Sequence, residues 1–318
     1  MVKMLLDYGA NPNAVNQNGE TALFIAAANG HVEITSSLIA RGADPTITDM
    51  IGGTALHSAC YAGKMSTVRS LLIRDLDVNV QNKEGYTPLH LAAARHTDVA
   101  ELLLAYGANA KAKNQCGSTP LHEAIRCSKI PCMNLLANHV DLDEGDEDGA
   151  TALFIAAKAG RRDAAKWLLE HGVDVNKANK KGSTPLHEAC KNASLELVTL
   201  LLAHNAGVNV ANEVRDSPLA VSLQWDAEKS SCVPILKTVY VLMSHGARVD
   251  HSEENYPVVT NSKVQGSASV ILMCVQHWAE EQKSKRPLTK VEEHILVRGP
   301  QDVEAFLQAK NILVGDTL

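Results

Sequence analysis

Small and apolar residues return along this chain with a period of about 33 residues. The clearest marker is Thr, then Pro or Ala, then Leu, at Thr21, Thr54, Thr87, Thr119, Thr151 and Thr184. Ser217-Pro218-Leu219 continues the series, and the intervals are 33, 33, 32, 32, 33 and 33 residues. Each marker is followed by an alanine-led pair: Ala26-Ala27, Ala59-Cys60, Ala92-Ala93, Ala124-Ile125, Ala156-Ala157 and Ala189-Cys190. A turn and a Leu-rich stretch come next, such as Leu102-Leu103-Leu104 or Leu200-Leu201-Leu202. Several units close on Gly-Ala-Asp/Asn, as at Gly42-Ala43-Asp44 and Gly107-Ala108-Asn109.

This pattern predicts two short antiparallel helices per unit. Thr is placed as an N-cap, and Pro at the first helical position gives up no hydrogen bond. The small pair lets one helix approach its neighbour closely, and Gly30, Gly63 and Gly160 permit the tight turn between the helices. The Leu pairs form the buried stripe of the second helix. Gly42, Gly107, Gly172 and Gly246 are placed to end that helix in the left-handed conformation. The Asx- and Gly-containing segments that follow predict projecting turns.

Composition agrees with a thin, repetitive core. A 318-residue chain is too long for one typical globular core, and aromatics make up only 4% of it. With a net charge of −6 and no dominant Lys/Arg cluster, nucleic acid is not the expected partner. Seven cysteines without a C-x-x-C pair fit reduced thiols in a cytosolic or nuclear setting. The apolar run 270–275 is too short to span a membrane, so no membrane insertion is expected.

The TALF, TALH and TPLH tetrapeptides, the small pairs and the Gly-Ala-Asp/Asn endings closely resemble the ankyrin repeat. The resemblance covers residues 1–253. It implies an all-α solenoid of stacked antiparallel helix pairs with short β-hairpin fingers, and a non-catalytic scaffold or adaptor that binds a protein partner. Residues 1–16 match only the end of a unit, followed by units at 17–49, 50–82, 83–114, 115–146, 147–179, 180–212 and 213–253. Because the first unit lacks its first helix, the chain is expected to be monomeric or part of a longer ankyrin chain. Residues 254–318 read as degenerate repeats capping the stack. A separate module that recruits a ubiquitin ligase is the alternative there.

The resemblance places the partner on the finger tips and at the ends of the first helices. The position seven residues after each Thr, and after Ser217, reads Ala28, Tyr61, Ala94, Arg126, Lys158, Lys191 and Gln224, with Trp225 beside an eight-residue insertion. Tyr86 sits on a finger. Glu147 and Asp148 tip an acidic finger flanked by basic ones at Lys111, Lys113, Lys177, Lys180 and Lys181. Exposed Tyr, Trp and Arg are the usual anchors of protein interfaces. Charges of alternating sign point to a partner segment of mixed charge. The Leu…Asp-Val-Asn patterns ending at Asn79 and Asn176 are similar to those that an asparaginyl hydroxylase modifies in ankyrin fingers, which makes substrate status a second reading.

No catalytic, metal or cofactor residues are expected. Of the 13 His, ten recur at repeat positions, spaced along the stack and not gathered around one point. Gly63-Lys64 lacks the earlier Gly of a phosphate loop, and no Ser or Cys stands in a nucleophile motif. Cys60, Cys190 and Trp167 read as packing residues. Two units are one residue short, and Asp75 and Asn205 replace a helix-ending Gly, so residues 75–148 should be the least regular part of the array.

Overall fold

The computed structural model describes residues 1–74, 76–223 and 233–247. The chain divides into two compact units, Met1–Val173 and Asp174–Leu318. In the first, the helices opening each repeat are α2 (Ala22–Asn29), α4 (Ala55–Tyr61), α6 (Pro88–Ala93), α8 (Pro120–Arg126) and α10 (Ala152–Lys158). The second helices are α1 (Val2–Asp7), α3 (Val32–Ala40), α5 (Met65–Leu72), α7 (Thr97–Ala105), α9 (Ile130–Ala137) and α11 (Arg162–Glu170). The second unit holds α12 (Pro185–Lys191), α13 (Leu195–Ala203), α14 (Pro218–Leu223) and α15 (Val233–Ser244). No helix among the described residues is long and apolar enough to cross a membrane. The segment 254–318, with the cap and the recruiting module expected in it, lies outside the described residues, as do Asp75, Gln224, Trp225 and most of the insertion beside them.

The repeat markers act as their chemistry dictates. Thr21 and Thr151 cap α2 and α10 by accepting from the N–H of Phe24 and Phe154. Thr54, Thr87, Thr119 and Thr184 form capping boxes with His57, His90, His122 and His187. In each box the Thr N–H donates to the His Nδ1, at 3.0–3.2 Å. That leaves the Nε2 hydrogen to reach forward into the next repeat. It meets the carbonyl of Tyr86 from His57, of Ser118 from His90 and of Asp216 from His187, at 2.9–3.0 Å. One ring therefore caps its own helix and ties down the following finger.

The small pairs are fully buried: Ala27, Ala59, Ala92, Ala93, Ala124, Ala156 and Ala157 have no exposed surface. Consequently, successive first helices of the first unit pack on each other more extensively than successive second helices do. The ankyrin resemblance implies that the first helices and the fingers face the concave side. Leu38, Leu71, Leu103, Leu136 and Leu168 fill the layer behind, each at most 1% exposed. Trp167 is 7% exposed, and its Nε1 donates to Asn134 at 2.7 Å. Cys60 and Cys190 are buried among the helices, and burial pushes both thiols up, away from the reactive thiolate.

The fingers differ from the expected β-hairpins. No strand ladder forms among the described residues; the only bridge there is an isolated one between Val15 and Thr21. Each finger is a five-residue turn closed by two backbone bonds at its first residue, Asn16, Asp49, Asn82, Asn114 and Asp146 in the first unit and Asn179 and Asn212 in the second: its N–H donates to the carbonyl four residues on, and its carbonyl accepts the N–H three residues on. The same residue's side-chain oxygen accepts the N–H groups two and four positions on, for example Glu84 and Tyr86 on Asn82. An Asx side chain thus reinforces the backbone pair at each turn, where a longer hairpin would add further rungs.

The left-handed positions are where local strain sits. Asn205 takes φ +64° in place of the helix-ending glycine. Ser128 (φ 53°) and Ala193 (φ 49°) take the interhelix-turn position that is Gly in other units, and Arg215 (φ 65°) takes that of a finger glycine. A side chain in this region costs about 1–2 kcal/mol. Ala193→Gly is therefore expected to stabilise the second unit by about 1 kcal/mol, measured by urea denaturation. An unchanged or lower midpoint would refute the assignment of strain.

Candidate partner-binding surface

The concave side of the first unit is bounded by two rows. One is the finger tips. The other is the turn joining each first helix to its second helix, and the last first-helix residues stand at its edge.

Along that second row, Ala28 and Ala94 are half-buried and flank Tyr61, which is 50% exposed. The Arg95 guanidinium lies over the Tyr61 ring, 4.5 Å from its centroid, and His96 Nε2 sits 3.1 Å from the Tyr61 carbonyl oxygen. Both contacts hold Tyr61 in place while its ring edge meets solvent. Two repeats on, Arg126 donates from Nη1 to Glu123 Oε1 at 2.8 Å and from Nη2 to Ser118 Oγ at 3.0 Å. Burial pushes the Glu123 carboxyl up, while Arg126 pulls it back. Arg161 donates from Nε to the Arg126 backbone carbonyl at 2.7 Å, so its side chain reaches back to the end of the preceding first helix. Lys129 and Lys158 are exposed beside them.

Tyr86 is half-buried at the base of its finger. Its ring packs edge-on against His90 at 5.6 Å, and its carbonyl receives the His57 bond. Burial raises its phenol first, with the Glu123 charge adding to the rise and Arg126 opposing it. Tyr86 and Arg126 stand on consecutive repeats. Glu147 and Asp148 are exposed at the acidic tip. The rest of that finger is engaged internally, with Asp146 closing the turn and Glu144 paired to Lys113 at 2.7 Å. Lys191 is exposed at the end of α12 in the second unit. Met50 and Ile51, 66% and 60% exposed at a finger tip, did not stand out in the sequence. Their only signal was two apolar residues where other fingers carry polar ones.

Asn79 and Asn176 have a structural task. Asn79 Nδ2 donates to the Gly107 carbonyl at 3.4 Å, and Asn109 N–H donates back to its Oδ1 at 2.7 Å. Asn176 makes the same pair with the Asn205 carbonyl and Gly207 N–H, and Asn13 with the Gly42 carbonyl and Asp44 N–H. The Asn at this position therefore bridges consecutive fingers, which accounts for its recurrence without any modification. Lys111 stands there in one unit, and its side chain cannot supply the paired donor and acceptor of an amide. His122 Nε2, in the following unit, is buried without a hydrogen-bond partner. Thr46 and Asp143 also replace the bridging Asn, so such gaps are not confined to 75–148.

Among the described residues, no group of three His, Cys, Asp or Glu is placed to hold a metal ion.

Comparison with known proteins agrees with this architecture. A family model for ankyrin repeats in three copies matches residues 1–82, 38–114 and 106–179, and one for ankyrin repeats in many copies matches 168–221. The chain is similar to the crystal structure of the human ASB11 ankyrin repeat domain, with a TM-score of 0.62 and 29% identity, covering 73% of this chain and 100% of that one. It is also similar to the ankyrin repeat domain of Bcl-3, described as a unique member of the IkappaB protein family. There the TM-score is 0.58 at 27% identity, over 71% of this chain and 100% of that one. A human espin-like protein is 41% identical over 59 residues, a stretch that is 18% of this chain and 6% of that relative's length. With capped helix pairs, Asx-closed fingers and family matches reaching from residue 1 to residue 221, the chain belongs to the ankyrin repeat family.

Proposed function

We propose that this chain is a non-catalytic scaffold or adaptor that holds a partner protein against the concave side of its array. The observation that carries this reading is the row Ala28, Tyr61, Ala94, Arg126, Lys158. The repeat fixes Thr, Leu, the small pair and Gly, but it needs no particular side chain at this row. The residues found there nevertheless sort along the stack, apolar over three units and then basic over two. Ankyrin repeats generally mediate protein–protein interaction, and their surfaces take unrelated partners on one fold. The oppositely charged finger tip at Glu147 and Asp148 supports a partner segment of mixed charge.

The test is affinity capture with the full 318-residue chain and three variants. Proteins retained by the native chain should be lost by Tyr61→Ser and by Lys158→Glu. They should be kept by Arg69→Glu, at a residue that lines a shallow depression of about 430 Å³ on α5, among the second helices. Circular dichroism checks that the variants stay folded. Identical captured sets from all four chains would refute the concave reading.

A further inference from the structure

The two walls of the concave side do not carry the same chemistry along their length, and the change is sharp enough to define a ligand. On the turn wall the row at the ends of the first helices reads Ala28, Tyr61 and Ala94, with Lys64 and Arg95 on the turns that follow Tyr61 and Ala94. It turns basic at Arg126 and stays so through Lys129, Lys158 and Arg161, and residues 126–130 and 158–162 contain no carboxylate. On the finger wall the sequence runs differently. Met50 and Ile51 form an exposed apolar tip in the same repeat as Tyr61. Glu147 and Asp148 form an exposed acidic tip in the same repeat as Lys158 and Arg161. One end thus offers apolar surface at Tyr61 and at the Met50-Ile51 tip, and the other end is basic on one wall and acidic on the facing one.

The spacing between the walls suits an extended chain. The first helix of the charged repeat, α10, has seven residues and spans about 10 Å. A strand lying over it sends alternate side chains to opposite sides, one set toward the turns and the other toward the fingers. Long acidic and basic side chains can then meet both walls at once.

We propose that the concave side of residues 1–173 binds an extended polypeptide segment with an apolar anchor beside Tyr61 and, further along, alternating acidic and basic residues. The acids face Arg126, Lys158 and Arg161, and the bases face Glu147 and Asp148. This deepens the scaffold reading and rests on it. The separation follows from the stack. Neighbouring helices pack at about 8–10 Å, so two repeat steps from Tyr61 to Arg126 cover about 16–20 Å. At about 3.3 Å per extended residue, that places the first charged contact about five or six residues from the anchor. A third step to Lys158 carries the alternation to about seven to nine residues. An all-acidic segment is disfavoured by the carboxylates of the facing tip, and an all-basic one by the turn wall.

Arg126 is already prepared for this role. Its Glu123 and Ser118 bonds fix the guanidinium, so little side-chain freedom remains to be lost on binding. Arg95, stacked on Tyr61, likewise fixes the wall of the anchor site.

The experiment is fluorescence anisotropy with the full chain and three labelled synthetic peptides, each made in both chain orders. The first carries Leu-Phe, a five-residue Gly/Ser spacer and Glu-Lys-Glu-Lys-Glu-Lys. The second has the same composition with the charges in blocks, and the third replaces Leu-Phe by Ser-Ser. At low salt the alternating peptide should bind at least about tenfold more tightly than either of the others. Its advantage over the block peptide should vanish in Lys158→Glu and shrink in Lys158→Ala, a milder change that guards against misfolding. Its advantage over the anchorless peptide should vanish in Tyr61→Ser. Equal affinity of alternating and block peptides, or no binding by any peptide, would overturn the proposal. Neither result touches the scaffold reading, which the capture experiment decides separately.

Discussion

Taking the protein from pH 7 to pH 4 should strip the first unit of about 6 kcal/mol of stability, the contribution of two histidine rings. His90 and His122 are 0% and 2% exposed, and burial pushes both pKa values down to about 4. The geometry acts the same way as burial, because the Nδ1 that would gain the proton already accepts the N–H of Thr87 or Thr119. In the unfolded chain each ring titrates near 6.5. Below that value the unfolded state binds more protons than the folded one, so the stabilisation is complete above about pH 6.5 and is lost as the pH falls toward 4. The interval between 6.5 and about 4 is worth about 3 kcal/mol per ring, a large share of the roughly 5–15 kcal/mol typical of a domain. Burial also lowers His57 in the first unit and His187 in the second, against the opposing pull of the Tyr86 and Asp216 carbonyl bonds, and both rings add to the slope. The measurement is urea denaturation at a series of pH values. His122→Gln should lower stability at pH 7 yet flatten the decline between about pH 6.5 and 4, because one titrating ring has gone. A decline as steep as that of the native chain would show that the rings do not drive it.

Alanine at Gly117 should cost about 3 kcal/mol or more, whereas alanine at Gly107 should cost about 1–2 kcal/mol. Both glycines have positive φ, +72° and +85°, so both substitutions carry the left-handed penalty. They differ in what the new methyl group meets. At Gly107 nothing lies within 4 Å. At Gly117 the added carbon would stand 2.5 Å from the backbone nitrogen of Glu147, which cannot swing aside as a side chain could. Two consecutive fingers would have to separate, stretching the bond from Glu147 N–H to the Cys116 carbonyl. Paired urea denaturation curves for the two variants decide the matter. Equal losses would mean that the fingers are not held at this distance in solution.

Much of the fold could be read in the sequence because a repeat states each instruction several times. Thr, Pro, Leu and His recur at fixed offsets, and the capping boxes follow from those offsets alone. What stayed hidden depends on contacts one period away or on residues acting against preference. Ser128, Ala193 and Arg215 adopt a conformation that L-residues avoid, so nothing local marks them as turn formers. The fingers are reinforced by an Asx side chain instead of a strand ladder, a choice that turns on two side-chain hydrogen bonds per unit. The bridging work of Asn79 needs the offset between fingers, which only the stack supplies. At the surface, the row from Ala28 to Lys158 was legible as a row, because the period aligns it. The engagement of Arg126 with Glu123 and Ser118, and the apolar tip at Met50 and Ile51, emerged only with side chains in place.

The forward bond made by three of the buried rings has a further consequence for how the chain assembles. His57 reaches Tyr86, His90 reaches Ser118 and His187 reaches Asp216, separations of 29, 28 and 29 residues. The Asn bridges span a similar distance, 28 to 31 residues. These ties extend one period and stop. Adding a unit to an established neighbour therefore means closing a loop of about thirty residues, and the entropy of that closure does not rise with the length of the whole. The conformational search stays local however many units the chain contains, which favours rapid zipping from any early pair.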